Sequence, residues 1–114
     1  MTIGFGHVIK HGEELTSLTE KQALQLLEAD LSHAASAVAR LIRVPLSQNK
    51  FDALVSFTFN LGAGSLQRST LRRCVNRQEH GQVPRQFLRW VRAGGKILPG
   101  LVRRRVAEGV IYSR

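Results

Sequence analysis

The stretch FDALVSFTFNLGAGSLQRSTL, residues 51–71, constrains the fold more than any other. It holds three of the five Phe and no acid after Asp52. Val55, Phe57, Phe59 and Leu61 alternate with polar residues at a strand period, whereas Phe51, Leu54, Val55, Thr58 and Leu61 recur at helix spacing. Three features select the helix. Ser47 stands just ahead as an N-cap. The run exceeds an ordinary strand. Gly62, with Gly64, offers the left-handed stop that helix ends prefer. A helix apolar on nearly every side must be enclosed by others. The segment therefore reads as the central helix of a small α-rich domain, one domain over residues 1–114.

The flanks are read in the same way. In TIGFGH, residues 2–7, Gly4 and Gly6 alternate with Ile3 and Phe5, which suits a short strand or hairpin. HVIKHGEEL continues as a second short strand with a turn at Gly12. Thr19 and Gln22 form a capping box, and Leu18 can staple onto Ala23. Ala23, Leu24, Leu27, Leu31, Ala34, Val38 and Leu41 then mark one apolar stripe, predicting a helix from about Glu20 to about Ile42. Pro45 ends it by disfavouring helical geometry at Val44. Ser69 or Thr70 caps a short helix through Val75, and residues 76–81 form a polar turn. Pro84 opens a helix whose Phe87, Leu88 and Val91 face inward through about Arg92, with Gly94 and Gly95 ending it. Pro99 precedes a last helix. There Leu101, Val102, Val106 and Val110 are expected inside and Arg103–Arg105 outside.

Composition narrows the function classes. Seventeen Lys and Arg against eight Asp and Glu give +9, which steers the chain toward a polyanion: nucleic acid, anionic lipid headgroups or an acidic cell wall. No apolar run approaches the ~20 residues of a membrane span. The N-terminus lacks the basic start and apolar centre of a signal peptide, so synthesis in a cytoplasm is expected. Cys74 is the single Cys and reads as a small core residue. His7, His11, His33 and His80 show no metal-ligand spacing, so neither metal nor cofactor is expected. Phosphate-binding glycine loops and nucleophile elbows are absent from the sequence. The RR at 72–73 and RRR at 103–105 could contact phosphates, but no recognition helix, zinc module or aromatic sheet points to specific nucleic-acid binding. From residues alone, no acid pair for glycoside hydrolysis stands out.

Four motifs together resemble one family, the phage-type lysozymes, which are the endolysins of tailed phages and prophages. TIGFGH at 2–7 resembles the family's T-I-G-Y-G-H hairpin, with Phe5 in the Tyr position. LTEKQALQLLEADL at 18–31 resembles its first long helix. QNKFDALVSFTFNLGAGSLQRSTL at 48–71 is similar to its central helix and following turn, and FLRWVRAGGKILPGLVRRR at 87–105 to its C-terminal signature. The resemblance implies a mainly α, lysozyme-like α+β fold: a helical bundle around a buried central helix, with a small N-terminal β-hairpin. It implies cleavage of the bond between the two amino sugars of peptidoglycan, acting on the wall after release from the host cytoplasm.

The family's catalytic set is a Glu, an Asp and a Thr. Only the Thr matches, at Thr2, where the hydroxyl would help hold the attacking water. The Glu and Asp precede the T-I-G segment in the family, and here Met1 directly precedes Thr2. The expectation is therefore an N-terminally truncated lysozyme domain, weak or inactive as this chain. A missing general acid alone is typically worth ~10²–10⁴-fold. Glu13 or Glu14 is the nearest substitute. The resemblance further implies that Phe59, Asn60 and Thr70 line the cleft floor, that Val8 flanks Thr2, and that His7 and Asp30 tie the hairpin to the long helix. It also implies a surface left uncovered by the absent helix, to be closed by a homodimer, a swapped element or another segment. The alternative reading is a non-catalytic binder of peptidoglycan or another polyanion.

Overall fold

A computed structural model describes residues 19–114, together with the backbone of two short N-terminal strands. These are β1 (Thr2–Ile3) and β2 (His7–Val8), which pair antiparallel with Thr2 opposite Val8 and Ile3 opposite His7. The hairpin expected from the T-I-G-F-G-H spacing is thus present as strands. The turn at Gly12, the pair Glu13–Glu14 and the Leu18 staple lie outside the described residues.

Helix α1 (Glu20–Leu41) starts on the expected capping box. Gln22 N donates to Thr19 Oγ1 at 3.1 Å, and Thr19 N donates to Gln22 Oε1 at 2.9 Å. Its C-terminal half buries Ala34, Ala37, Val38 and Leu41. Leu24 and Leu31, placed inward by the stripe, are instead exposed. Helix length accounts for Leu24. Helix α1 packs mainly on α2 (Gln48–Leu61), which has 14 residues against its own 22. At 1.5 Å per residue, α1 outruns its partner by about 12 Å.

Helix α2 is the enclosed centre that its composition predicts. Ser47 Oγ accepts from Lys50 N at 3.2 Å to begin it, and Gly62 stops it at φ +95°, a value other residues rarely adopt. Ala53, Leu54, Phe57 and Thr58 are buried. The Phe57 ring lies 5.7 Å from Phe87 and meets Trp90 edge-on at 5.5 Å, a favoured aromatic geometry.

The turn expected after Gly62 is in fact a helix, α3 (Ala63–Arg68), formed because Leu66 is drawn into the core. Helix α4 (Thr70–Asn76) follows, capped by Ser69 Oγ, which accepts from Arg72 N at 3.0 Å. The Leu41 carbonyl, left open at the end of α1, accepts from Arg72 Nε at 3.0 Å and Asn76 Nδ2 at 3.1 Å. Those two bonds fix α4 against the end of α1.

Helix α5 (Val83–Phe87) ends earlier than the apolar pattern suggests. Residues 92–97 form a hairpin: β3 (Arg92–Ala93) pairs with β4 (Lys96–Ile97), Ala93 opposite Lys96. Gly94 and Gly95 have φ +58° and +79°, the two left-handed residues of a two-residue hairpin loop. They make a turn rather than a helix stop.

The largest correction concerns α6 (Pro99–Tyr112). Its buried face is Arg105, Glu108, Gly109 and Tyr112, while Val106 and Val110 are about half exposed. Arg103 and Arg104 are exposed as expected and Leu101 and Val102 are half-buried, but Arg105 points inward and Val106 and Val110 outward, against the apolar pattern. The reason is a set of specific partners on α2, which hold the guanidinium and carboxylate inside.

Candidate functional site

The last turn of α2 carries Phe59 and Asn60, both half-buried. Arg105 reaches across from α6, and its Nη2 donates to Asn60 Oδ1 at 2.9 Å. The same Nη2 donates to Glu108 Oε2 at 3.0 Å, and Arg105 Nε lies 2.8 Å from Glu108 Oε1. Ser56 Oγ, one turn before Asn60, donates to Glu108 Oε2 at 2.6 Å. The guanidinium carbon sits 5.5 Å from the Phe57 ring centre. Arg105 is 0% exposed and Glu108 2%. Burial lowers the affinity of Arg105 for its proton, opposed by the Glu108 charge beside it. Burial likewise raises the Glu108 carboxyl above its ordinary value, opposed by the Ser56 bond and by Arg105. Desolvation thus outweighs pairing on both sides of this ion pair. What the network secures is orientation. With Oδ1 committed to Arg105, the Asn60 amide group has one fixed direction.

Phe59 lines a hollow of about 250 Å³ with Asp30, His33, Ala34, Thr58, Gly62 and Ala63. Thr58 is buried there, and its hydroxyl has no hydrogen-bond partner among the described residues. Thr70 lines a different hollow, of about 200 Å³, with Arg68, Ser69, Gln86, Arg89 and Trp90. Phe59 and Thr70 therefore border separate recesses, and Asn60 is held by the buried ion pair. The side chains of Thr2, His7 and Val8 lie outside the described residues, and with them the expected His7–Asp30 contact. Asp30 itself faces the Phe59 hollow. Among the described residues, no cluster of three His, Cys, Asp or Glu could hold a metal ion.

Several residues near this region were not legible from sequence. Arg105 hid inside an Arg run that reads as a solvated face. Ser56 looked like the polar side of a strand-like alternation. Trp90, the single Trp, was the one available signal, because a lone large aromatic near the Thr70 segment has to pack or bind something.

Comparison with known proteins places this architecture. A phage lysozyme family model matches residues 1–108. The endolysin of Bacillus phage B103 is 37% identical over 111 residues, covering 97% of this chain but 42% of the phage protein. The chain thus spans about two-fifths of that relative. Among solved structures, the muramidase domain of SpmX from Asticaccaulis excentricus is 35% identical with a TM-score of 0.78, covering 85% of this chain and 69% of that one. The endolysin from Escherichia coli O157:H7 phage FAHEc1 is 37% identical with a TM-score of 0.76, covering 83% and 63%. A family match along nearly the whole chain, a mainly helical fold and two solved relatives above one-third identity all agree: the chain belongs to the phage lysozyme family.

Proposed function

We propose that this chain forms the cleft-bearing part of a phage-type lysozyme, an endolysin that hydrolyses the glycosidic bond between the amino sugars of bacterial peptidoglycan. The observation that carries the reading is the likeness to a muramidase domain over 85% of the chain. Thr2 is the family's water-holding hydroxyl in this proposal, and Val8, Phe59, Asn60 and Thr70 contact sugar. His7 and Asp30 join hairpin to helix. Two features support the binding part. Asn60 is a polar side chain fixed in direction by a buried network that core packing alone does not require. Thr70 borders a recess where Gln86, Arg68 and Arg89 supply donors beside the Trp90 ring. Donors next to an aromatic face suit a ligand with both hydroxyl and C–H surfaces.

Hydrolysis needs one carboxyl group to protonate the leaving oxygen and a second to act on the other side of the ring. The resemblance matches neither to a residue of this chain. The 114 residues alone are therefore expected to bind wall and turn over far more slowly than a complete endolysin. The second reading, a non-catalytic binder, is favoured by the +9 charge. One assay separates the two: purified chain is incubated with isolated peptidoglycan, then pelleted chain and new reducing ends are measured together. Pelleting with a trace of reducing ends supports the first reading, and pelleting with none supports the second. Absence of both outcomes removes the proposal. Self-association belongs to the same proposal, and a concentration-independent monomer mass in sedimentation equilibrium would dismiss it.

A further inference from the structure

Where α1 and α4 end side by side, Arg43, Gln67, Arg72, Arg73, Asn76 and Arg77 line one hollow of about 430 Å³. Hydrogen bonds build its floor. Arg72 Nε and Asn76 Nδ2 both donate to the Leu41 carbonyl. Arg72 Nη1 donates to the Gln67 carbonyl at 3.2 Å, and Arg43 N donates to Asn76 Oδ1 at 2.7 Å. The Arg72 guanidinium is thus held by two carbonyls, with Nη2 uncommitted among the described residues. Arg72 is half-buried, and Arg43, Arg73 and Arg77 are exposed around it. The hollow shares no lining residue with the Phe59 hollow or the Thr70 recess.

Four like charges gathered on one hollow repel one another. The two helix ends offset part of that. A helix C-terminus carries about half a negative charge, so two of them balance about one of the four cations. Among the described residues, no carboxylate forms an ion pair with any of the four. The remaining positive charge, about three units, has no match within the fold. A guanidinium presents a planar fork of donors that fits phosphate or carboxylate oxygens two at a time. One carboxylate fills one fork and balances one charge, and a neutral sugar balances none. A polymer backbone calls for cations spaced along a track. These four instead border a single hollow, within the ~300–1,000 Å³ of small-molecule sites. A compact anion of high charge meets every one of these conditions.

We propose that this hollow binds a condensed phosphate, a di- or triphosphate chain, either inorganic or carried by a nucleotide. Arg72, fixed by its two carbonyls, meets the phosphoryl oxygens through Nη2, and Arg43, Arg73 and Arg77 close on the rest. The bound anion joins the end of α1 to α4, so it stabilises the folded chain by mass action. The site is independent of sugar hydrolysis.

The test titrates sodium tripolyphosphate into the full 114-residue chain by isothermal titration calorimetry. One saturable site is expected, with a thermal midpoint that rises with ligand concentration. The double substitution Arg73→Gln with Arg77→Gln should weaken binding more than about tenfold, because two charge-assisted contacts are lost. Both positions are exposed, so its ligand-free circular dichroism should match the parent. Arg103→Gln with Arg104→Gln removes the same charge from exposed positions of α6 and should leave the affinity within about twofold, since salt screens distant charges. Two further probes separate the sources. Adenosine triphosphate binding no tighter than tripolyphosphate assigns the site to the phosphate chain alone. Tighter binding of the nucleotide, with adenosine monophosphate much weaker, assigns it to a nucleotide. Three results would overturn the proposal. One is tripolyphosphate that neither gives saturable heat nor raises the midpoint. Another is an α6 variant weakened as much as the Arg73–Arg77 variant, which leaves bulk charge alone. The third is an oligothymidylate that binds and is not displaced by tripolyphosphate, which assigns the cations to a nucleic-acid track.

Discussion

Helices α1 and α6 were both read from apolar periodicity, and they came out oppositely. In the C-terminal half of α1 the pattern tells the truth, and Ala34, Val38 and Leu41 are inside. In α6 it inverts, with Arg105 and Glu108 inside and Val106 and Val110 outside. The difference lies in the partner surface. Against α1 the neighbours offer methyl and ring atoms, so the hydrophobic term decides. Against α6 the central helix presents Ser56 and Asn60, which a charged pair can satisfy and a valine cannot. Apolar periodicity predicts a face only when the surface opposite is apolar too.

The sharpest way to break this comparison is to remove half of the α6 pair. Glu108→Ala leaves Arg105 buried without its countercharge and should cost about 3–5 kcal/mol in urea denaturation. Replacing both, Arg105→Met with Glu108→Leu, should restore most of that stability, because burial disfavours both charges. A double variant as unstable as the single one would show that the pair is needed as an ion pair. On α1, Leu41→Ala should cost about 2–3 kcal/mol through the cavity it leaves, with no comparable rescue by a second change.

Helix α6 should also carry a pH response. Burial raises the folded-state value of the Glu108 carboxyl above the ordinary one, so the folded chain holds that proton more tightly than the unfolded chain. Its stabilising term is fully present below the unfolded value of ~4.3 and is lost as pH climbs through the raised folded value. Denaturation midpoints measured across that window should fall with pH in the parent, and the double variant should lack that component. A parent profile indistinguishable from the double variant would contradict the raised value.

Smaller effects sharpen the contrast at the surface. Thr19→Ala removes the hydroxyl that caps α1 and should cost about 1 kcal/mol, read as a lower thermal midpoint. Val106→Ser should change stability by no more than about 0.5 kcal/mol, since an exposed position gives up little burial. A larger loss would mean that the valine is covered in solution.

Much of the fold was legible in the sequence because its signals are local. The Thr19–Gln22 box, the Ser47 cap and the Gly62 stop each act through their own backbone neighbours, and each stands where expected. The Gly94–Gly95 pair was also a visible signal, but two glycines can end a helix or turn a hairpin. Only the pairing of Ala93 with Lys96 separates the two. The candidate site was legible in fragments. Phe59, Asn60 and Thr70 were named through the family motifs, while the network holding Asn60 was not, because Arg105 lies 45 residues from Asn60 and Glu108 lies 52 from Ser56 in sequence.

The sequence by itself determined where α1 begins, where α2 begins and ends, and that a strongly cationic chain would enclose α2 at its centre. Caps, glycines and net charge need no distant partner to act. Only the tertiary structure decided which side of α6 faces in and that Arg105 would be the residue gripping Asn60. Side-chain burial depends on what stands opposite, and what stands opposite α6 is another helix, supplied from half the chain away.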